Sequence, residues 1–349
     1  MRLILGAAGG AAIGLLGMRY AWFDGVSRAC VLLLPAMYVT IFIHELGHLT
    51  AALAIGFRWR EFAVGPVVLR REAGGVRFHF VVSRLVAGGQ VQAVPRSHDG
   101  LRWRFLILLA GGPIATALIF AVLPFLARGP WTTALVLANL LCVLTSWLPY
   151  YTGGYVTDAK AIALLRRSGP EGDGFAALLY IIAADSQGIL PRDWDAAMLA
   201  QLEAAADAPL AATAAVLMLA YTLDRGDPDA VVAATERALA RAPNAIPLHR
   251  RMILETAAYV QGIYRRDAAL ASAWLTDART VTGIASEKDW DADSMGAIAL
   301  ASGDADGARA HFRRALGRLD RQPPGSGSVA ASQSRLEGLI AMCGQAAAG

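Results

Sequence analysis

The sequence predicts a mainly α-helical protein in two parts, a polytopic transmembrane core followed by a soluble helical domain. The 349 residues are 56% hydrophobic and only 17% charged, and the mean hydropathy is +0.44. Soluble domains are usually less apolar and more charged than this. The apolar excess lies in the first half of the chain, whereas the second half is richer in Asp, Glu, Arg and Ala. Two structural units are therefore expected.

Three apolar runs form the predicted core spans, residues 30–57, 105–127 and 131–150. At about 1.5 Å per residue, roughly 20 residues cross a hydrocarbon core of about 30 Å, so each run can cross it. Gly129-Pro130 predicts a tight turn that makes the last two spans antiparallel neighbours. Residues 3–17 are shorter and rich in glycine; we expect a retained N-terminal span, with a signal peptide as the alternative.

A membrane-associated β loop is predicted for residues 58–101, between the first two core spans. β-branched and aromatic residues alternate there with polar ones. Residues 67–69 and 76–82 flank a polar, glycine-containing turn, which predicts a hairpin. Gly88-Gly89 precedes a further short strand that runs through Val91.

Arginines in this loop and its flanks set the expected topology. The loop side carries Arg58, Arg60, Arg70, Arg71, Arg77, Arg84, Arg96, Arg102 and Arg104, and the opposite side carries Arg19, Arg28 and Arg128. The positive-inside rule therefore predicts a cytoplasmic β loop and a cytoplasmic C-terminal half. The predominance of Arg over Lys favours a bacterial inner membrane. A net charge of +4 is modest and gives no indication of a nucleic-acid partner.

The second half predicts helical repeats. Residues 208–243 form a helix pair around the turn at 225–229, and a similar turn and helix recur at 302–316, with a weaker copy near 262–271. Such a period resembles tetratricopeptide repeats, which bind peptides or proteins, although an irregular helical bundle is the alternative. The predicted domains are an N-terminal segment (1–29), the membrane core (30–168), the repeats (169–321), and a linker with a terminal helix (322–349), in which 322–330 are flexible.

One motif carries the chemistry, His44-Glu45-Leu46-Gly47-His48 in the first core span. Helix positions four apart share a face, so both imidazoles can bind one metal ion. Glu45 is placed to take a proton from a water molecule at that metal. Zinc suits these donors and keeps a position open for water. Ionisable residues inside a span are usually functional; the alternative is that they hydrogen-bond a neighbouring helix.

A third protein ligand is expected at Asp158. It follows Pro149 and Gly153-Gly154, where irregular backbone is tolerated if it lines a cavity. The alternative is that Asp158 caps the helix through Leu165. His79, His98, His249 and His311 are interpreted as structural or solvated residues, and the three cysteines fit no metal-binding spacing.

Over residues 30 to about 165, the sequence resembles the site-2 protease family of intramembrane metalloproteases. The matching parts are the His44–His48 motif, residues 56–66 with Gly88-Gly89-Gln90-Val91, Ala110–Ala115, and Leu148-Pro149 with Thr157-Asp158. The resemblance implies zinc held by His44, His48 and Asp158, and Glu45 as the proton carrier.

The same resemblance implies that the enzyme cleaves a locally unwound transmembrane helix. The β loop, with Gly65, Gly88 and Gly89, would pair with the substrate as an added strand. Two positions depart from the family pattern, because Ser146 stands in place of an Asn and Ala159 in place of a Gly. Ser146 or Asn139 is a candidate to bind the substrate or its oxyanion. These departures keep open an alternative, a catalytically degenerate membrane scaffold that binds partners through its repeats.

Overall fold

The computed structural model describes residues 24–72, 75–81, 88–96, 100–125, 129–152, 155–205, 208–282, 289–320 and 325–346. These residues are mainly helical and include a small open sheet, as the sequence predicts. The chain divides into two units, Met1–Arg166 and Arg167–Gly349. The expected N-terminal span at residues 3–17 lies outside the described residues.

Among the described residues of the first unit, three helices are long and apolar enough to cross a membrane. They are α1 (Asp24–Ala54), α2 (Leu101–Val122) and α3 (Pro130–Trp147). Large apolar side chains such as Ile114 and Leu118 are 57% and 63% exposed on α2. Such a surface is unfavourable in water and suits a lipid environment. The three predicted core spans are confirmed by length and composition.

Helices α1 and α2 approach closely where glycines face each other. A Cβ atom added to Gly47 would lie 2.6 Å from the Cβ of Ala115 and would overlap the carbonyl of Gly111. A Cβ atom on Gly111 would in turn lie 2.8 Å from the Cβ of Ala51. Small residues at such crossings allow backbones to approach each other in membrane helices.

A four-stranded antiparallel sheet follows α1. It consists of β1 (Arg58–Val64), β2 (Val67–Glu72), β3 (Gly75–Phe80) and β4 (Gly89–Val94), in the order β3-β2-β1-β4. Glu61 lies opposite Arg70 in the β1–β2 register and accepts a hydrogen bond of 2.6 Å from its guanidinium group. Strands β2 and β3 pair in antiparallel orientation, so the hairpin predicted between residues 67–69 and 76–82 is present.

After α3, the chain forms a short hairpin and one helix before the second unit begins. The hairpin pairs β5 (Tyr151–Thr152) with β6 (Tyr155–Val156), and α4 spans Asp158–Arg166. The Arg102 guanidinium donates a hydrogen bond to the Leu165 carbonyl, so the start of α2 is bound to the end of α4.

The second unit consists of helices over its described residues. They are α5 (Pro170–Ser186), α6 (Ala196–Glu203), α7 (Ala208–Arg225), α8 (Pro228–Arg241), α9 (Pro247–Val260), α10 (Ala268–Thr280), α11 (Ala292–Ala301), α12 (Ala305–Leu319) and α13 (Gly327–Ala346). Its core is apolar, with Val231, Val260 and Phe312 fully buried.

Three turns in this unit share one conformation. Gly226, Arg266 and Gly303 each have a positive φ, and the Asp that follows each of them caps the next helix. The turns are 40 and 37 residues apart along the chain. The predicted helix pair at 208–243 is present as α7 and α8. Its relation to tetratricopeptide repeats stays a prediction.

The expected flexible linker at 322–330 is wrong in part, because α13 begins at Gly327. Asp185 explains the early start. Its carboxylate accepts hydrogen bonds of 2.8 Å from the Ser326 hydroxyl and 2.7 Å from the Ser328 backbone N–H. The acceptor lies over 140 residues away in sequence, so local composition gave no sign of it.

Glu255, on α9, is a buried acid of the second unit and is only 7% exposed. Its carboxylate accepts hydrogen bonds of 2.8 Å from Arg251 and 2.5 Å from the Trp290 indole N–H. Burial nevertheless raises the pKa of Glu255 from its ordinary 4.5 to about 7, against the lowering effect of Arg251.

We therefore expect Glu255→Gln to change how the stability of the second unit depends on pH. Between pH 4.5 and about 7, the folded state keeps a proton that the unfolded state releases. The free energy of unfolding of the wild type thus falls as pH rises through this window. The variant should lack that fall, which is on the order of 3 kcal/mol. Pulse proteolysis in urea at pH 4.5 and 7.5 measures it. The exposed Glu337→Gln is the control, and an unchanged pH slope in Glu255→Gln would contradict the prediction.

Candidate metal centre

Helix α1 places three polar side chains on the inner face of an otherwise apolar segment. His44, Glu45 and His48 are 6%, 7% and 6% exposed. Because His44 and His48 are one helical turn apart, their rings lie on the same side, with ring centroids 4.8 Å apart. Buried ionisable groups are costly in an apolar environment unless they have partners.

Asp158 brings a carboxylate to the two imidazoles from the first turn of α4. Its Oδ2 lies 3.0 Å from His44 Nε2 and 3.4 Å from His48 Nε2. Helix capping falls instead to the preceding residue, since the Thr157 hydroxyl accepts a hydrogen bond of 3.3 Å from the Lys160 backbone N–H. The Asp158 side chain is thus turned towards α1.

The spacing of these three donors fits one tetrahedral ion. Zinc binds imidazole nitrogen and carboxylate oxygen at about 2.0–2.2 Å, which puts tetrahedral ligand atoms about 3.3–3.5 Å apart. The observed pairs are 3.0, 3.2 and 3.4 Å apart. Two nitrogens and one oxygen are also a donor set that zinc accepts. The residues present therefore fit zinc, with a fourth position left for another ligand.

Groups behind the imidazoles hold the two rings in the tautomer that a metal needs. His48 Nδ1 donates to the Leu108 carbonyl at 2.8 Å, since a carbonyl can only accept. The Thr116 hydroxyl donates to the Gly112 carbonyl at 2.9 Å, so it is free to accept from His44 Nδ1 at 2.8 Å. Both Nε2 atoms then present lone pairs towards Asp158.

Neither of these two supporting groups was assigned from the sequence. Leu108 acts through its backbone carbonyl, which no sequence pattern reveals. Thr116 carries a signal, because a polar residue inside an apolar span needs a partner, and it is 1% exposed. Its partner, His44, can be identified only once the crossing of α1 and α2 is known.

Gly112, on α2, leaves room for the imidazoles of His44 and His48. A Cβ atom at this position would lie 2.6 Å from His44 Nε2 and would also overlap His48 Nε2. Any larger residue would therefore occupy the space between helix α2 and the two imidazoles.

A cavity of about 740 Å³ opens beside these ligands within the first unit. His44, Glu45 and Asp158 line it, together with apolar residues of α1 and α3. Ser146 also lines it, and its hydroxyl donates to the Cys142 carbonyl at 2.8 Å. Asn139 is fully buried and is absent from the described cavity wall, so the structure gives no support for a role at the substrate.

The predicted glycines of the β loop gather at the same cavity. Gly88 and Gly89 line it, and a Cβ atom on Gly89 would lie 2.5 Å from Glu45 Cδ. Gly65 sits in the β1–β2 turn with φ 52°, and a Cβ atom there would overlap the Tyr38 ring, which is also part of the cavity wall. Glycine at 65 and 89 thus allows the sheet to lie directly against α1.

Replacing Gly112 with Ala should weaken metal binding, because the added methyl group must displace an imidazole or push α2 away. Changes around metal ligands typically cost about 10–100-fold in affinity. Zinc content after dialysis against graded chelator concentrations measures this. Gly317→Ala is the matched control, since a Cβ atom there meets nothing within 4 Å. Equal zinc retention by the two variants would argue against the packing role of Gly112.

Comparison with known proteins gives one family match. The family model described as peptidase family M50 matches residues 32–292, which is most of the chain and includes every residue of the candidate centre. Neither the curated proteins nor the solved structures contain a match to this chain. The M50 peptidases are zinc metalloproteases of membranes, known as the site-2 protease family. The chain belongs to peptidase family M50.

Proposed function

We propose that this protein is an intramembrane zinc metalloprotease that hydrolyses peptide bonds within or near the transmembrane segments of membrane proteins. The observation that carries the proposal is the meeting of His44, His48 and Asp158 beside Glu45, at the wall of a cavity among helices able to cross a membrane. Membership of family M50 supports a membrane metalloprotease in general. The ligand roles and the substrate class are our inference.

His44, His48 and Asp158 would hold the zinc ion. When bound, zinc supplies Lewis acidity that polarises the peptide carbonyl and lowers the pKa of water. Glu45 is then the general base, because it adjoins a ligand on the same helix and lines the same cavity. Its carboxylate accepts a proton from the attacking water and passes it to the leaving amine. The reaction consumes one water molecule, breaks the C–N bond of the amide, and leaves a carboxyl group and an amine as the two products.

Thr116 and the Leu108 carbonyl are positioning groups in this scheme. Their oxygens lie 2.8 Å from the two Nδ1 atoms and accept the Nδ1–H groups, so that each imidazole keeps its Nε2 lone pair towards the ligand set. This arrangement also avoids reorientation of the rings when the metal binds.

The substrate would enter as an extended strand along β4. In the described sheet order, β4 is an edge strand that pairs only with β1, and its first residue, Gly89, lies against Glu45. An edge strand offers unpaired backbone groups to an added strand. A transmembrane helix hides its carbonyls in its own hydrogen bonds, so it has to unwind locally before it can pair in this way.

The cytoplasmic placement of the β loop and of the second unit remains part of the proposal. It rests on the arginines of the loop and on the positive-inside rule. The second unit would then meet a cytoplasmic peptide or protein partner, and the membrane would be the inner membrane of a bacterium. A degenerate scaffold is the rival hypothesis, and the two variants below separate it from a protease.

Glu45→Gln should abolish proteolysis while zinc stays bound at about one ion per chain. The amide keeps the shape of the side chain but has no basic oxygen, and loss of a general base costs about 100-fold or more in rate. Comparison of cleaved membrane-protein fragments in cells that express the wild type or the variant measures the loss. Glu337→Gln, exposed on α13, is the control. Cleavage by Glu45→Gln at the wild-type rate would refute the mechanism, and absence of cleavage by the wild type would favour the scaffold.

Asp158→Ala should lower zinc affinity by at least about 100-fold. Changes at residues that only hydrogen-bond to a metal ligand already cost about 10–100-fold. Thr157→Ala is the matched control. It removes the helix cap, at about 1 kcal/mol, and leaves the carboxylate in place. Zinc titration of both purified variants gives the comparison. If Thr157→Ala lost as much affinity as Asp158→Ala, the carboxylate would be a structural element and no ligand.

A further inference from the structure

A second cavity lies wholly within the second unit, far along the chain from the metal ligands. It measures about 240 Å³, is partly open, and is lined by residues of α7, α9, α11, α12 and α13 together with Pro191 and Trp290. That volume suits a small molecule and is too small for a helix or a strand.

Two arginines in the wall of this cavity have buried donors without acceptors. The Nε atoms of Arg318 and Arg335 are shielded from solvent and have no hydrogen-bond partner among the described residues. A buried donor without an acceptor costs about 1–3 kcal/mol, and more when it is charged. Arginine cannot avoid this cost by losing its proton. The Nε–H group of each arginine therefore lacks an acceptor in the described part of the chain.

Among the described residues, the contacts of these two arginines include no carboxylate. The Arg318 guanidinium lies 5.9 Å from the Trp290 ring centroid, and the Arg335 guanidinium lies 5.4 Å from that of Tyr259. Arg335 also approaches the Ser332 hydroxyl at 3.4 Å. Aromatic rings stabilise a cation but do not accept its N–H groups as a carboxylate does.

The acids in the wall do not fill that need. Glu255 already receives hydrogen bonds from Arg251 and Trp290, one at each carboxylate oxygen. Asp293 lines the cavity as well, and one of its oxygens accepts from the Ser294 backbone N–H at 2.9 Å. Within the described residues, no ion pair joins Asp293 to either arginine. The described residues therefore supply no anion that pairs with these two arginines.

Apolar groups complete the wall. Leu219, Leu223 and Met252 line the cavity together with the Trp290 ring. A mixed lining of this kind, with a few polar groups that converge, is typical of small-molecule sites.

We propose that this cavity is a binding site for a small organic anion, whose carboxylate or phosphate pairs with Arg318 and Arg335 and whose apolar part lies against Trp290. Guanidinium groups recognise both oxyanions through paired N–H donors. The proposal does not depend on the protease, because every residue in it belongs to the second unit.

Calorimetric titration of the full chain in detergent with benzoate and with phenyl phosphate tests the site. Each probe joins an oxyanion to a ring, and the tighter of the two identifies the preferred head group. We expect saturable binding that Arg318→Gln and Arg335→Gln each weaken about 10-fold or more. Arg313→Gln, exposed on the same helix as Arg318, should bind as the wild type does. Benzamide, which is neutral, should not bind.

Asp293→Asn tests whether the site prefers a negatively charged ligand. The expected result is a gain in affinity, which loss of folding would not produce. Removal of a negative charge from the wall should tighten binding of either probe several-fold, since like charges in a cavity repel. No saturable binding by the wild type, equal binding of benzamide, or unchanged affinity in all the variants would overturn the proposal. Weaker binding in Arg313→Gln equal to that in Arg318→Gln would overturn it as well.

Discussion

The first unit depends on one constraint, that the ionisable side chains inside its apolar helix bundle need partners there. His44, His48 and Asp158 meet each other, and each imidazole is completed from behind by a group of α2. The crossing of α1 and α2 follows from this need. The glycines at 47, 111 and 112 let the two helices come close enough for Thr116 and Leu108 to reach the rings. The placement of the candidate ligands and the packing of α1 against α2 are therefore one structural feature.

The position of the β sheet depends on small residues in the same way. It lies against α1 because Gly65 and Gly89 have no side chains in the way, and this brings an edge strand beside Glu45. On the far edge, β3 exposes Val76, Phe78 and Phe80 by 56%, 63% and 60%. Alternate residues of a strand share a face, so these three form one apolar surface. One edge is thus suited to contact a peptide backbone and the other carries a surface suited to lipid.

The sequence predicts the parts of this architecture that local patterns encode. Apolar length predicts α1, α2 and α3, and alternation predicts the β2–β3 hairpin. The spacing of His44 and His48 predicts two rings on one face, and Asp158 joins them as expected. Contacts between distant segments are harder to foresee. Thr157 as the cap of α4, the Leu108 carbonyl behind His48, and the position of Asn139 away from the cavity all depend on how helices pack. The meeting of Arg318 and Arg335 at one cavity also depends on helix packing, and no sequence pattern predicts it.

The hydrogen bonds from Ser326 and Ser328 to Asp185 have a consequence for the time course of folding. They join positions 141 and 143 residues apart, near the two ends of the second unit. Contacts of such separation form late, since the intervening chain has to be ordered first. During synthesis, at about 5–20 residues per second, α5 has to wait roughly 7–30 seconds for its last partner to be made. The second unit can therefore reach its final structure only after residues 326–328 have been synthesised.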